Sequence, residues 1–527
     1  MRKHFKQYEL RFMNRLVPSF RIDALVIAAS LVALSCDRRG SGPQENIVER
    51  LPNIVYILAD DLGYGDLSCY YPDSRIQTPN IDRLASEGMR FTDAHSPSSV
   101  CTPTRYAILT GQYCWRSDLP VGVLQGYGRM FLRDGRQTVP GLLRQAGYST
   151  AVIGKWHLGL DWIVREEYLD SVQLLTRDFD GVAAVRDMKA DWIDFSLPPE
   201  RGPWTYGFDY SYILPASLDM PPYCYLENGI LEGDLDDITE GNDLNTGFTG
   251  AFWRPGKMST GYDFFEVLPT FIRKARQYIR DRATEDRPFL LYLPLPAPHT
   301  PWVPTDEYGG LSGAGAYGDF VQMIDAMVGR VLDELEETGL SDNTLVFFTS
   351  DNGAYWPPAM QERFDHAPSG GFRGMKADIW EGGHRIPFIV RWPGVIPSDT
   401  KSDYLTCLTN LFATSAELTG LKTEPGQAED SRSILPVLLG KDPEPPGPVV
   451  HHSSRGVFAL RSGNWKYIEG LGSGGFSAPA VEQAEPGGPA GQLYDLDRDP
   501  GERENRYMHE QGLLEVLKNE LKKIRGC

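Results

Sequence analysis

Apolar and polar positions follow two rhythms along this chain. Four short runs are apolar at nearly every position: Asn53–Ala59 (NIVYILA), Thr150–Ile153, Phe289–Leu293 and Thr344–Thr349 (TLVFFT). Runs without alternation suit strands buried on both faces, as in a parallel sheet. Between them the period becomes helical. Thr78–Gly88, Val139–Ala146 and Ala316–Glu337 predict helices, the last with Phe320, Ile324, Met327, Val331 and Leu335 on one stripe. Strands alternating with amphipathic helices predict an α/β fold: a large, mainly parallel sheet sandwiched by helices.

Elsewhere the rhythm is weaker. Asp161–Thr284 reads as irregular, and its acidic stretch Glu227–Asp243 reads as a solvated loop, with a second cation site as the alternative. The Pro-rich tract KDPEPPGP (Lys441–Pro448) predicts a linker between a catalytic domain over 51–440 and a C-terminal α+β subdomain over 441–527. In that subdomain Gly456–Leu460 and Trp465–Glu469 predict strands and Leu513–Ile524 an amphipathic helix, while the Gly/Ala/Pro-rich Gly470–Gly491 reads as a mobile loop.

At the N-terminus, Arg15 and Arg21 precede an apolar run, Ala24–Leu34, then Ser35 and Cys36. That order predicts an export signal over 1–36 and a polar linker over 37–50. The run is short for a membrane span. Its ALSC ending resembles a bacterial lipobox, which would make Cys36 a lipid attachment point at the periplasm or cell surface. Ordinary signal cleavage and an uncleaved anchor are the alternatives.

Charge narrows the function. Lys+Arg 52 against Asp+Glu 71 gives a net charge of −19, which argues against a nucleic-acid binder and requires any anion site to be a local pocket. Seven cysteines in 527 residues are no disulfide framework. Cys69, Cys114, Cys224, Cys407 and Cys527 leave room for one or two disulfides without fixing the pairing.

Each apolar run ends in chemistry. The first delivers Asp60 and Asp61, the second Lys155 and His157, the third His299, the fourth Asp351 and Asn352. In open α/β sheets ligands sit beyond the carboxyl ends of the strands, so these residues are expected together. Adjacent carboxylates repel unless a cation lies between them. With Asp351 and Asn352 they offer only oxygen donors, which suits calcium first and magnesium second, and not zinc. In Ser98–Tyr113 (SSVCTPTRYAILTGQY), Pro103 suits a first helical turn, so Cys101 is expected at a helix start that attracts anions. Arg105, one turn on, presents a planar fork of donors on the same face.

The CTPTR tract, with the TG that follows, resembles the signature of the type I sulfatases. Gly371–Pro387 (GFRGMKADIWEGGHRIP) and Leu493–Arg506 (LYDLDRDPGERENR) are similar to sulfatase tracts, and Ala216–Gly229 (ASLDMPPYCYLENG) resembles one of carbohydrate sulfatases that would shape the pocket mouth. The resemblance spans Leu51 to Arg506 and implies the alkaline phosphatase superfamily fold. It implies that a sulfatase-maturing enzyme oxidises Cys101 to formylglycine, and that residue 101 joins Asp60, Asp61, Asp351 and Asn352 around the metal. It further implies that Asp351 takes the nucleophile's proton, Lys155 and Lys376 hold sulfate, and His299 protonates the leaving alcohol. His157 then takes a proton from the second hydroxyl, and Arg105 orients the hydrate. His366, Arg373 and His384 are expected to read the sugar. The substrate implied is a sulfated carbohydrate; a broad arylsulfatase is the alternative. A phosphatase or phosphonate monoester hydrolase is disfavoured by Cys101 and the single oxygen-rich metal set. A non-catalytic carbohydrate-binding relative is disfavoured by His157, His299 and Lys376.

Overall fold

The four apolar runs are neighbours at the centre of one ten-stranded sheet. In order across it lie Thr344–Ser350, Asn53–Ala59, Phe289–Pro294 and Ser149–Lys155, all parallel, so their carboxyl ends share one edge. Tyr210–Leu214 continues the parallel set beyond Ser149–Lys155, and Phe388–Arg391 pairs antiparallel with Thr344–Ser350. The computed structural model describes residues 50–172, 188–242, 250 and 252–526. The segment expected to be an export signal, with Cys36, and also Cys527 lie outside the described residues.

Burial explains the rhythms. Every residue of Asn53–Ala59 and Thr344–Ser350 is buried. The helix Gly315–Glu337 buries the expected stripe of Phe320, Ile324, Met327, Val331 and Leu335. That stripe shares a core with Val55 and Ile57 of the central strand and Phe271 of the helix Val267–Arg282. Helices of the Cys101–Thr110, Val139–Gln145 and Leu411–Thr419 group pack against one another as a separate layer.

Two expectations are corrected. Asp161–Thr284 is not irregular throughout: it holds the strand Tyr210–Leu214 and the helix Val267–Arg282. That helix keeps a periodic apolar face, with Phe271, Ile272, Ala275, Tyr278 and Ile279 buried. Five basic residues (Arg273, Lys274, Arg276, Arg280 and Arg282) and Pro269 dilute the signal without breaking the period. The other correction concerns Gly470–Gly491, which is tied down. Asp378, a hundred residues earlier, accepts from the backbone N–H of Phe476 at 2.8 Å and of Ser477 at 3.0 Å.

A four-stranded antiparallel sheet (Val449–His452, Phe458–Ser462, Trp465–Ile468, Gln492–Asp495) carries the helix Gln511–Arg525. Leu514, Leu517 and Leu521 of that helix pack on Val450, Leu460 and Leu493. Among the described residues Cys69, Cys101, Cys114, Cys224 and Cys407 are all free thiols.

Candidate active site

The strand ends converge as the topology requires. Asp60 and Asp61 follow the first strand, and their carboxylates meet those of the neighbours. The Asp61 N–H donates to Asp351 Oδ1 at 3.2 Å, and Asn352 Nδ2 donates to Asp61 Oδ1 at 2.7 Å. The strand carrying Lys155 comes close because Gly154, at φ +138°, has no Cβ to strike the Pro294 carbonyl. Asp61 (φ 65°) and His157 (φ 54°) both hold left-handed backbone, a conformation that costs energy for residues with a Cβ and gathers at functional sites.

Cys101 is the first residue of the helix Cys101–Thr110, which ends at Gly111 in the left-handed region. All ten residues of that helix are buried. One turn on, Arg105 spends its fork on Asp351: Nε and Nη2 lie 3.0 and 2.7 Å from Oδ2, and Nη1 donates to the Lys155 carbonyl. Its donors are therefore turned to a carboxylate. Lys155 Nζ lies 2.6 Å from Asp60 Oδ2 and 3.2 Å from Ser217 Oγ. Lys376 Nζ lies 2.7 Å from Asp61 Oδ2.

Electrostatics separate the carboxyls. Burial pushes Asp60 up, but Lys155, His299, Arg105 and Lys376 outweigh it and hold the group well below the usual range. Burial pushes Asp351 up to about 7, with Asp60 adding to the rise against Arg105 and Lys155. Burial also raises the Cys101 thiol to about 11, against the pull of Lys155 and Lys376. A free thiol there is protonated at neutral pH and a poor nucleophile. Burial, aided by Lys155, keeps the His157 imidazole neutral. Its Nε2 lies 3.0 Å from the Leu124 carbonyl, while Nδ1 is buried and has no hydrogen-bond partner among the described residues. Neutral with Nε2 donating, the ring leaves an unshared lone pair on Nδ1.

Two buried oxygens of this cluster, Asp60 Oδ1 and Asn352 Oδ1, have no hydrogen-bond donor among the described residues, although Arg105 Nη2 lies 3.6 Å from the first. Unsatisfied oxygens in a buried acidic cluster are costly unless a cation accepts them. The donor set of Asp60, Asp61, Asp351 and Asn352 thus fits a hard divalent ion. Cys101 falls in one metal-compatible grouping with Asp60 and Asp351, and His299 in another with Asp60 and Asp61.

A cavity of about 800 Å³ opens above this cluster. Asp61, Cys101, His299 and Lys376 line it. Arg105, Lys155, His157, Asp60, Asp351 and Asn352 are fully buried behind them. His299 Nε2 lies 3.7 Å from Asp61 Oδ2, and Nδ1 lies 2.7 Å from the Thr300 carbonyl. Asp219 and Arg254 also line the cavity, paired with each other, and Asp219 Oδ1 lies 3.9 Å from His299 Nδ1. Neither was expected as a site residue. The signal was the Ala216–Gly229 tract, which supplies Ser217 to Lys155 and Asp219 to the cavity.

The three sugar-reading candidates lie elsewhere. His366 is buried 2.8 Å from Asp66. Arg373 lies over the Trp380 ring and donates to the Glu502 carbonyl. His384 is fully buried in a polar chain: Lys466 Nζ is 2.9 Å from its Nε2, its Nδ1 is 3.1 Å from His95 Nδ1, and His95 Nε2 is 2.8 Å from Asp93. Other groups of the protein engage the polar atoms of each: an aspartate for His366, a backbone carbonyl for Arg373, and a lysine and a histidine for His384.

A family model for the sulfatases matches residues 52–421. The chain belongs to the sulfatase family. It is a sulfuric ester hydrolase, within the alkaline phosphatase superfamily fold. This sulfatase is 34% identical over 492 residues to an N-acetylgalactosamine-6-O-sulfatase of Bacteroides thetaiotaomicron, covering 86% of this chain and 89% of that one. It is 33% identical over 470 residues to human arylsulfatase A, covering 87% and 84%. A solved structure described under the metabolism of multiple glycosaminoglycans by Bacteroides thetaiotaomicron superposes at TM-score 0.76 and 31% identity, over 91% of the sulfatase and 100% of that chain.

Proposed function

We propose that this sulfatase releases sulfate from a sulfated amino sugar of a glycosaminoglycan fragment, with the 6-sulfate of N-acetylgalactosamine as first choice. The N-acetylgalactosamine-6-O-sulfatase relative supports the sugar. The chemistry is carried by one observation: Cys101, useless as a thiol, lies on the cavity floor among groups that serve a hydroxyl nucleophile. Oxidised to formylglycine and hydrated, residue 101 supplies one hydroxyl to attack sulfur and another whose deprotonation expels sulfate.

The surrounding side chains divide the remaining work. Asp351, pushed toward neutrality and oriented by the Arg105 fork, accepts the proton of the attacking hydroxyl. Lys376 places its ammonium on the cavity surface for a sulfate oxygen, and Lys155 holds Asp60 from behind. His299 faces the cavity through Nε2 and protonates the leaving alcohol. His157, neutral with a vacant Nδ1, takes the proton that releases sulfate. Asp60, Asp61, Asp351 and Asn352 would hold calcium, whose charge would neutralise sulfate oxygens and favour ionised Asp351. Three fixed cations, Arg105, Lys155 and Lys376, oppose three carboxylates, Asp60, Asp61 and Asp351, so an added divalent ion leaves the site positive toward a sulfate monoanion.

The test is a mass measurement on the Cys101 peptide from protein made with a maturing enzyme, where conversion of thiol to aldehyde removes about eighteen mass units. Cys101→Ala should lose sulfate release by several orders of magnitude. An unmodified Cys101 in fully active enzyme would overturn the nucleophile assignment. A panel of position-defined sulfated sugars decides the substrate. The arylsulfatase A likeness favours a second reading, an aryl sulfate substrate, and a phenyl sulfate turned over better than every sugar would establish it.

A further inference from the structure

The cavity wall farthest from Asp61 in sequence comes from the C-terminal segment: Ser454 and Arg455, then Gly475, Phe476 and Ser477. This wall is built firmly. The Ser454 N–H donates to the carbonyl of Ala377, the residue after Lys376, and the Arg455 N–H donates to the Gly474 carbonyl. Asp378 holds Phe476 and Ser477 through backbone N–H groups, and Ser473 N–H closes onto the Pro479 carbonyl. Two side chains stand out on this frame. Phe476 is 55% exposed, braced edge-on by Tyr355 with ring centroids 5.8 Å apart. Arg455 is exposed on the cavity, and among the described residues its guanidinium has no hydrogen-bond or ion-pair partner. The other cavity cations are committed, Lys376 to Asp61 and Arg254 to Asp219.

A large exposed aromatic ring is costly in water, and its flat face suits the C–H face of a sugar. An unpaired guanidinium on the wall of an otherwise acidic protein suits an anion. A cavity of about 800 Å³ also exceeds what one sugar ring needs. From these we infer that Phe476 and Arg455 form a second-sugar subsite: Phe476 stacks on the sugar next to the sulfated one, and Arg455 pairs with an anionic group that this neighbour carries. The inference rests on the carbohydrate reading above and narrows the substrate class to anionic oligosaccharides of at least two sugars.

The experiment measures kcat/KM of the mature enzyme on four probes. These are 6-sulfated N-acetylgalactosamine alone, and the same sugar linked to a neutral hexose, to a hexuronic acid, or to a sulfated hexose. The wild type should prefer an anionic neighbour over the neutral one by about three- to tenfold. The two anionic arms identify whether carboxylate or sulfate is the better partner. Arg455→Gln should bring the ratio of anionic to neutral neighbour close to one, and Phe476→Ala should lower all three disaccharides relative to the single sugar. Equal rates on all four wild-type probes would overturn the subsite and leave the sulfated-sugar reading standing. A preference that survives in Arg455→Gln would equally overturn the assignment of Arg455. No turnover of any sugar probe by enzyme active on a phenyl sulfate would instead defeat the carbohydrate reading.

Discussion

The two tasks proposed for His299 and His157 differ because their surroundings differ. His157 is sealed beneath the cavity with Nε2 on the Leu124 carbonyl and no hydrogen bond to Nδ1 among the described residues, whereas His299 stands at the cavity surface with its Nδ1 on the Thr300 carbonyl. A proton donor matters in proportion to how poor the leaving group is. His299→Ala is therefore expected to cut turnover of a sugar sulfate at least tenfold more than that of a nitrophenyl sulfate, whose phenolate departs unaided. Equal losses on both substrates would mean that His299 holds sulfate and donates no proton. For His157→Ala the expectation is the opposite: sulfate expulsion fails whatever alcohol has left, so both substrates should stop after a stoichiometric burst of alcohol, seen by rapid quench. Arg105→Lys should also lose activity, since an ammonium cannot reproduce the two-point hold on Asp351. Thermal unfolding run in parallel separates that loss from misfolding.

At the scale of elements, the central strands were legible because burial on both faces leaves an unbroken apolar run. Their polar ends were legible because such runs must stop where the sheet stops. The same reasoning failed for Val267–Arg282, where a solvent face rich in arginine masks a regular apolar stripe. It failed again for His366 and His384, because sequence does not show which distant side chain reaches a histidine first: Asp66 for His366, Lys466 and His95 for His384. Asp219 and Phe476 were missed for a related reason: their importance comes from walls assembled by distant segments. The Gly315–Glu337 helix gives a direct test of the packing argument. Ile324→Ala on its fully buried stripe should cost about 2–5 kcal/mol of stability, read by denaturant titration, while leaving kcat/KM of the folded fraction close to wild type.

The whole molecule carries a pH dependence written by its buried histidines. Burial, with neighbouring cations, keeps His384 and His451 well below the ordinary imidazole range, and it lowers His452 to about 4. Unfolded, each titrates near pH 6.5. Between that pH and the lower folded values each of these histidines binds more proton in the unfolded chain, so its contribution to stability is full above about pH 6.5 and declines as pH falls, by up to about 1.4 kcal/mol per pH unit. The raised carboxyls of Asp351 and Glu502, each at about 7, bind protons in the folded state over the same window and act in the opposite sense. The histidine contribution is therefore read by difference: in melting curves at about pH 7.5 and pH 5.5, the Tm of His452→Gln should fall less, or rise more, on acidification than that of the wild type. The calcium site proposed above would add a second global lever. Chelation should lower both Tm and activity with calcium restoring them, and zinc restoring activity where calcium does not would contradict the oxygen-donor assignment.

The reacting groups and the wall above them belong to stretches of chain with different obligations. Asp60, Lys155, His299 and Asp351 are fixed by the meeting of four adjacent parallel strands, where a change in one disturbs all. Arg455 and Phe476 hang from turns whose backbone is anchored by Ala377 and Asp378, and the only aromatic ring against the Phe476 side chain among the described residues is Tyr355, itself on the cavity wall. Selection can therefore retune what the enzyme eats without relearning how to digest it. Among descendants of a common ancestor, diet should diverge through these few turns while the catalytic floor is inherited intact.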